Sequence, residues 1–333
     1  ASNNTAVGQT SMRFNTTGSS CTALGKDALY ANTTGGANVA AGKDALKSNT
    51  TASNNTAVGY QSQESTTTGT NNSSFGLHAL RLNTTASNNT AVGTYAGYSL
   101  TIGIQNVFVG SNAGDGTDDG QNNVGVGHGA LSANCGASNT GVGHGALSVC
   151  LASNNTAVGQ NAQVLVTDGA QNTSLGAYAL QTTTTGTYNI GIGYNSNSSS
   201  ATVSGECTLG DSNVNNLRCN DQSISALSDS RDKTDVIDSP YGLDFINTVR
   251  PVQFKWESRD GNVKDGSTRI GFIAQELLAA TDGNNVVLDL VLDDNPDKLE
   301  AKYGNLLPIA IQAIQELSAQ VEALTARITE LEG

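Results

Sequence analysis

The stretch ASNNTAVG fills residues 1–8 and is written again at 52–59, 86–93 and 152–159. The first two copies lie 51 residues apart and the next two 34, which are three times and twice 17. Aligned on the final glycine, the series runs Gly8, Gly25, Gly42, Gly59, Gly76, Gly93, Gly110, Gly127, Gly143, Gly159, Gly176, Gly193 and Gly210. Every interval is 17 except two of 16 between Gly127 and Gly159. A fixed period kept over thirteen units is the signature of a repeat architecture.

The residue before each glycine is apolar, as in Val7, Leu24, Val58, Phe75, Val92, Val158 and Leu209. Two positions earlier stand β-branched or small residues such as Thr5, Val39, Thr56, Val107 and Ile190. Alternation of this kind describes a short strand with one buried face, and it assigns Val7, Val58, Val92 and Val158 to the inside. The glycine then permits a backbone turn that a Cβ would obstruct. A second anchor follows as Ala-Leu, at Ala28-Leu29, Ala45-Leu46, Ala79-Leu80, Ala130-Leu131, Ala146-Leu147 and Ala179-Leu180. One such unit cannot bury its own apolar face, whereas stacked units cover one another. The expectation for residues 1–212 is a mainly β fold, a 17-residue-repeat β-solenoid or β-roll. Disorder is the rival reading of so polar a sequence, but it would not hold apolar residues in register through thirteen units.

Composition divides the chain. Residues 1–227 hold only 6 of the 16 Lys/Arg and 10 of the 29 Asp/Glu, so charge is concentrated after residue 227, and a domain boundary is expected there. Residues 213–227 read as a linker. The formal net charge of −13 argues against a nucleic-acid partner, which needs a basic stripe. No apolar run reaches the length of a membrane span, so no membrane insertion is expected, and no signal peptide is visible. The chain opens inside a repeat and without Met, which leaves room for an upstream segment. Cys21, Cys135, Cys150, Cys207 and Cys219 lack zinc-site or disulfide-framework spacing, and free thiols are expected.

The pattern N-T-A-V-G-x-x-A-L resembles the head repeats of trimeric autotransporter adhesins and repeats of phage fibre shafts. The adhesin heads use a shorter repeat. The resemblance implies an interlocked homotrimer.

Past residue 227 the spacing predicts a short helix over 240–249, strands at 251–256 and 286–292, a strand leading into a helix over 269–280, and a helix over 306–332. The small α+β region is thus 228–305, followed by a C-terminal helix to residue 333. In that helix Ile314, Val321 and Ile328 fall at heptad position a, and Leu317, Leu324 and Leu331 at d. Three uninterrupted heptads predict a parallel coiled coil, with an amphipathic helix packed within the chain as the alternative. Branched residues at a with Leu at d lean toward dimers, while the repeat resemblance points to trimers.

The motif S-D-x-R-x-K at Ser228–Lys233, then P-V-Q-F-K-W at 251–256, then G-F-I-A-Q-E at Gly271–Glu276, resembles the intramolecular chaperone domain of phage tail fibres and tailspikes, also described as the S74 peptidase domain. The resemblance covers about residues 228–333. It implies a domain that trimerises first, nucleates folding of the fibre upstream and cuts itself off with a Ser-Lys dyad. On that analogy Ser228 is the nucleophile, Lys233 the base, Asp229 and Arg231 position them, and the cut falls between Leu227 and Ser228. The chemistry suits these residues, since a serine hydroxyl needs a base within hydrogen-bond reach and a desolvated lysine can serve. The same six letters also read as a helix N-cap box with Ser228 capping. The downstream motifs and the composition break favour the dyad. Such a cut occurs once per molecule, so no turnover enzyme is expected.

Gly125-Val-Gly127-His-Gly129 has dinucleotide-loop spacing but belongs to the repeat, with no βαβ unit around it. His128 and His144 follow successive repeat glycines and read as surface histidines, and DGTDDG at 115–120 reads as a solvated loop. No metal or cofactor is expected. Together these readings imply a virion tail fibre, made in the host cytoplasm, that attaches to a host-surface receptor such as a glycan and continues into an upstream fibre or virion-attachment segment. The alternatives are a cell-surface or injection-system adhesin with the same C-terminal domain and, last, a glycan-degrading tailspike, which would need a carboxylate pair.

Overall fold

The computed structural model describes all residues except 215, 219, 221–227 and 256–265. It separates into two compact units, Ala1–Asp211 and Ser212–Gly333.

The first unit is a β-solenoid. Thirteen three-residue strands, from β1 (Thr5–Val7) and β2 (Thr22–Leu24) through β7 (Val107–Val109), β8 (Val124–Val126) and β9 (Thr140–Val142) to β12 (Ile190–Ile192) and β13 (Cys207–Leu209), form one parallel sheet in chain order. Each pairs with the same positions of the next coil, as in Thr5↔Thr22 and Val107↔Val124. The 16-residue interval keeps this register, because β8 pairs with β9 as Val124↔Thr140.

One ASNNTAVG copy shows how each residue type is used. Ala52 is buried, and its carbonyl accepts from the Asn38 side-chain amide at 2.8 Å and from that of Asn49 at 3.1 Å. The Ser53 hydroxyl accepts the Gly36 N–H. Asn54 sits at φ 61°, a left-handed conformation that asparagine tolerates better than most residues. Asn55 donates its N–H to Asn38 Oδ1 at 2.9 Å and its side-chain amide to the Gly69 carbonyl at 2.8 Å. The same pair of bonds recurs along Asn72, Asn89, Asn106, Asn123, Asn139, Asn155, Asn172 and Asn189. Glu206 supplies the last N–H of this ladder, donating it to Asn189 Oδ1, and its carboxylate accepts from the Ser199 N–H and hydroxyl. The repeat glycine closes the copy. Gly8 adopts φ 130°, and a Cβ there would stand 2.6 Å from the Gly25 carbonyl carbon.

The facing of the strands corrects the expectation drawn from alternation. The middle residue is the inward one, with Ala23, Ala40, Ala57, Ala91 and Ala157 fully buried. The flanking residues face out, and Val7 keeps 55% and Leu24 53% of its surface. Val58, Val92 and Val158 face out with them. The interior is narrow, and the anchor leucines Leu29, Leu46, Leu80, Leu131, Leu147 and Leu180 fill it, leaving room at the strand centre only for Ala, Ser, Gly or Thr. Phe108 is the exception at that position and is fully buried. Gly97 and Gly114 replace the anchor leucines around it, and a Cβ on Gly114 would run into its ring. Gln63 and Gln163 replace the leucine in two other coils, and each donates to a serine at the strand centre, Ser74 or Ser174. Cys21, Cys135 and Cys150 are buried free thiols, and burial pushes Cys135 up to about 12. Cys207 is exposed, and Cys219 lies outside the described residues.

In the second unit, α1 (Leu243–Ile246) precedes β14 (Val252–Lys255), which pairs antiparallel with β15 (Thr268–Gly271). Next come α2 (Ala274–Ala280), α3 (Asn285–Leu288), β16 (Val291–Leu292), β17 (Glu300–Ala301) and α4 (Leu306–Glu332), and β16 pairs antiparallel with β17. The strand expected over 286–292 is instead a helical turn followed by a two-residue strand. Asp289 at φ 46° ends the turn and reverses the chain. Trp256 of the predicted 251–256 strand lies outside the described residues. Leu277, Leu288, Leu290, Val291, Leu306 and Ile309 form the core.

Two outcomes follow from the solenoid packing. Asn106→Ala leaves the Gly120 carbonyl and the Asn123 N–H buried without their partner, and should lower stability by about 2–6 kcal/mol at ~1–3 per orphaned group. Asn4→Ala, in the terminal coil, should lower it less, and equal small losses in denaturant unfolding would contradict the ladder's role. Phe108→Ala should destabilise by ~3–5 kcal/mol through the cavity it leaves. Adding Gly97→Leu and Gly114→Leu should then recover part of that loss, and a further loss in thermal melts would refute the proposed compensation.

Candidate functional site

The six residues Ser228–Lys233 fold as a single tight turn. Residues Ser230–Asp232 form one 3-10 turn, flanked by extended backbone at Asp229 (φ −68°, ψ 136°) and Lys233 (φ −123°, ψ 138°). Asp229 caps it, accepting the Arg231 N–H at 2.9 Å. The same carboxylate takes the Arg231 guanidinium in two further bonds, at 3.0 and 2.6 Å. That guanidinium, and then the backbone bond, hold the Asp229 carboxyl below its ordinary range. The cap of this turn is therefore Asp229 and not Ser228, which differs from the N-cap reading of the sequence. The Ser228 hydroxyl is left to Lys233, whose Nζ donates to Ser228 Oγ at 2.6 Å. Nucleophile and candidate base stand within hydrogen-bond reach, the geometric requirement for a Ser-Lys pair. Both are exposed in the single chain. Leu227, on the other side of the expected cut, lies outside the described residues.

The two downstream motifs build one small scaffold. Val252 and Phe254 of the first stand opposite Gly271 and Arg269 in the β14–β15 ladder. Glu276 of the second, in the first turn of α2, is gripped by both ends of the Arg250 guanidinium, with Nε to Oε2 at 2.9 Å. Gly271 is required by close approach, since a Cβ there would stand 2.6 Å from the Tyr303 hydroxyl. That hydroxyl in turn accepts the Phe272 N–H at 3.3 Å.

Helix α4 has two faces. Leu306, Ile309 and Ala313 are buried, with Leu306 and Ile309 in the core of the unit. Glu316 reaches α1, where its carboxylate accepts the Leu243 N–H at 2.8 Å and leaves no space for a side chain at Gly242. This bond, followed by one from Gln312, holds the Glu316 carboxyl below its ordinary range. The other face carries the expected heptad residues Ile314, Leu317, Val321, Leu324, Ile328 and Leu331, all exposed in the single chain. Leu307, seven residues before Ile314, continues the row and was not picked out by heptad counting from Ile314. It is 63% exposed beside the buried Leu306. Val236, Ile237, Ile270, Val286 and Val287 are further exposed apolar residues of this unit that sequence reasoning did not single out. The 286–292 apolar run is the signal that could have found the last two.

His128 and His144 stack in parallel with centroids 5.3 Å apart on the surface. No group of three or more His, Cys, Asp or Glu able to hold a metal occurs among the described residues. Asp115 is pushed up by burial, and Asp118 pairs with the Thr101 hydroxyl. No helix among the described residues is long and apolar enough to cross a membrane.

No curated protein matches the chain. The family model described as Peptidase S74, the chaperone of endosialidase, matches residues 228–288. Residues 228–288, which begin at the Ser228–Lys233 pair, are thus a Peptidase S74 chaperone domain.

Proposed function

We propose that this chain is a segment of a homotrimeric virion fibre, displayed on a phage tail for attachment to a host-surface receptor, whose C-terminal domain aligns three chains and is then released by its own Ser228–Lys233 dyad. The observation that carries the reading is the 2.6 Å contact between Lys233 Nζ and Ser228 Oγ at the first residues matched by the chaperone family model. The physical need for such a domain lies in the solenoid. Each of its strands pairs with a partner 16 or 17 residues away, and β-coils that must be set side by side from separate chains are slow to start. The exposed α4 seam suits parallel association of copies. Releasing the aligner afterwards leaves a fibre held by a barrier to unfolding.

The cleavage step balances within the chain. Neutral Lys233 takes the Ser228 hydroxyl proton as Oγ attacks the Leu227 carbonyl carbon. The C–N bond to Ser228 then breaks, the lysine proton goes to the departing amine, and an ester links Leu227 to Oγ. Water hydrolyses that ester, giving a Leu227 carboxylate and restoring the serine hydroxyl. A lysine acts as base where water is kept from it, and both groups are exposed in the single chain. The cover comes from assembly, which ties the cut to the formation of the trimer.

Denaturing gels test this directly. Wild type should yield a fragment of residues 228–333, and Ser228→Ala should yield none. Lys233→Ala should slow the cut by about 10²–10⁴-fold, the usual worth of a positioned base. An intact wild-type chain, or cleavage that survives Ser228→Ala, would sink the proposal.

A further inference from the structure

The outward side of the thirteen-stranded sheet is an unpartnered face. Each strand offers its first and third residues to it, and none of these outward positions in β1–β13 is charged. One column reads Thr5, Thr22, Val39 and so on to Cys207, and the other Val7, Leu24, Ala41 and so on to Leu209. Val92, Phe75, Leu175 and Ile192 are among its exposed apolar members. The charged side chains of the solenoid all lie off the strands, as with Lys26, Lys43, Glu64 and Arg81 in the turns after the repeat glycines. A continuous uncharged, β-branched surface of this length is unusual for a face that meets water alone.

We propose that this face is where copies of the same chain pack against one another along the solenoid, row against identical row. The proposal rests on the trimeric reading above and says which surface of the solenoid the copies share. Three features of the molecule choose a second copy over any other occupant. A parallel coiled coil through α4 would order the copies in the same direction, so each would offer the same coil at the same height. The face has no charge to complement, and it repeats one composition along thirteen rungs, so it fits a surface with the same period and chemistry. Its size is also right. Thirteen rungs ~4.8 Å apart and ~10 Å wide make about 600 Å² per copy. The α4 seam brings this toward the ~800 Å² per partner of a stable interface. The inside-out strands are then explained, since Val7, Val58, Val92 and Val158 would be buried between chains and not within one.

Cysteine cross-linking of the full chain tests this. The background is Ser228→Ala, to keep the chain whole, with Cys207→Ser and Cys219→Ser. The other thiols, Cys21, Cys135 and Cys150, are buried. Val92→Cys and Leu175→Cys each place one thiol on the face in separate coils, and Lys43→Cys places one off it. With a short bismaleimide, the face variants should give at least about tenfold more cross-linked chains than Lys43→Cys, because thiols held side by side react at high effective concentration. Cross-linking at either face position supports the proposal. An oligomer by light scattering that is lost on Leu324→Lys, yet gives no more product from the face variants than from Lys43→Cys, overturns the face while leaving the trimeric reading standing. A chain that is monomeric throughout overturns both.

Discussion

Everything in the solenoid depends on the asparagine that precedes eleven of its thirteen strands. Its side chain must meet two demands at once, receiving the N–H of the same position one coil on and donating to a carbonyl 14 residues further along. Both partners are buried backbone groups, whose loss is expensive. The bonds therefore fix the period, and the period fixes the sheet register and the stacking of the repeat glycines. The two shorter intervals show how firmly. Asn123 and Asn139 reach carbonyls only 13 residues on, at Gly136 and Ala152, with bonds of the same 2.8 Å length. The missing residue is absorbed in the loop, and strand and ladder keep their places. At the second coil Cys21 stands where Asn would. It receives no such N–H, but its thiol still donates to the Gly35 carbonyl 14 residues on.

This constraint explains what could be read in the sequence and what could not. The period, the strand positions and the anchor leucines were all legible, because each repeats with the backbone it serves. The direction in which each strand faces was not. Alternation gives a period of two without its phase, and the phase was set by Leu29 and its equivalents filling a narrow interior from the opposite side. The role of asparagine was not legible either, since nothing in one sequence distinguishes a solvated Asn from one that bonds on both sides. Phe108 could have been paired with Gly97 and Gly114 by noting that glycine takes the anchor-leucine position in just the coils beside it.

In the second unit the outcome was similar. The α4 heptads and the strand-to-helix passage of β15 and α2 were legible from spacing. The run VVLDLVL was not, because a short apolar stretch suits a buried strand or a helical turn equally, and the left-handed Asp289 that divides it carries no local signal. At Ser228–Lys233 the letters allowed either a cap or a dyad. The geometry gives the cap to Asp229 and leaves the Ser228 hydroxyl to Lys233.

A one-dimensional stack in which each coil touches only its neighbours can begin anywhere and propagate. A chaperone domain at one end is useful only if it makes that end the starting point, and this is the central claim for the chain. Pulsed hydrogen exchange during refolding of the full-length protein measures it most directly. The account predicts that strand amides of β13 and β12 gain protection first and those of β1 and β2 last, in order along the sheet. Protection that starts at β1, or arises in all thirteen strands together from the earliest time, would contradict it.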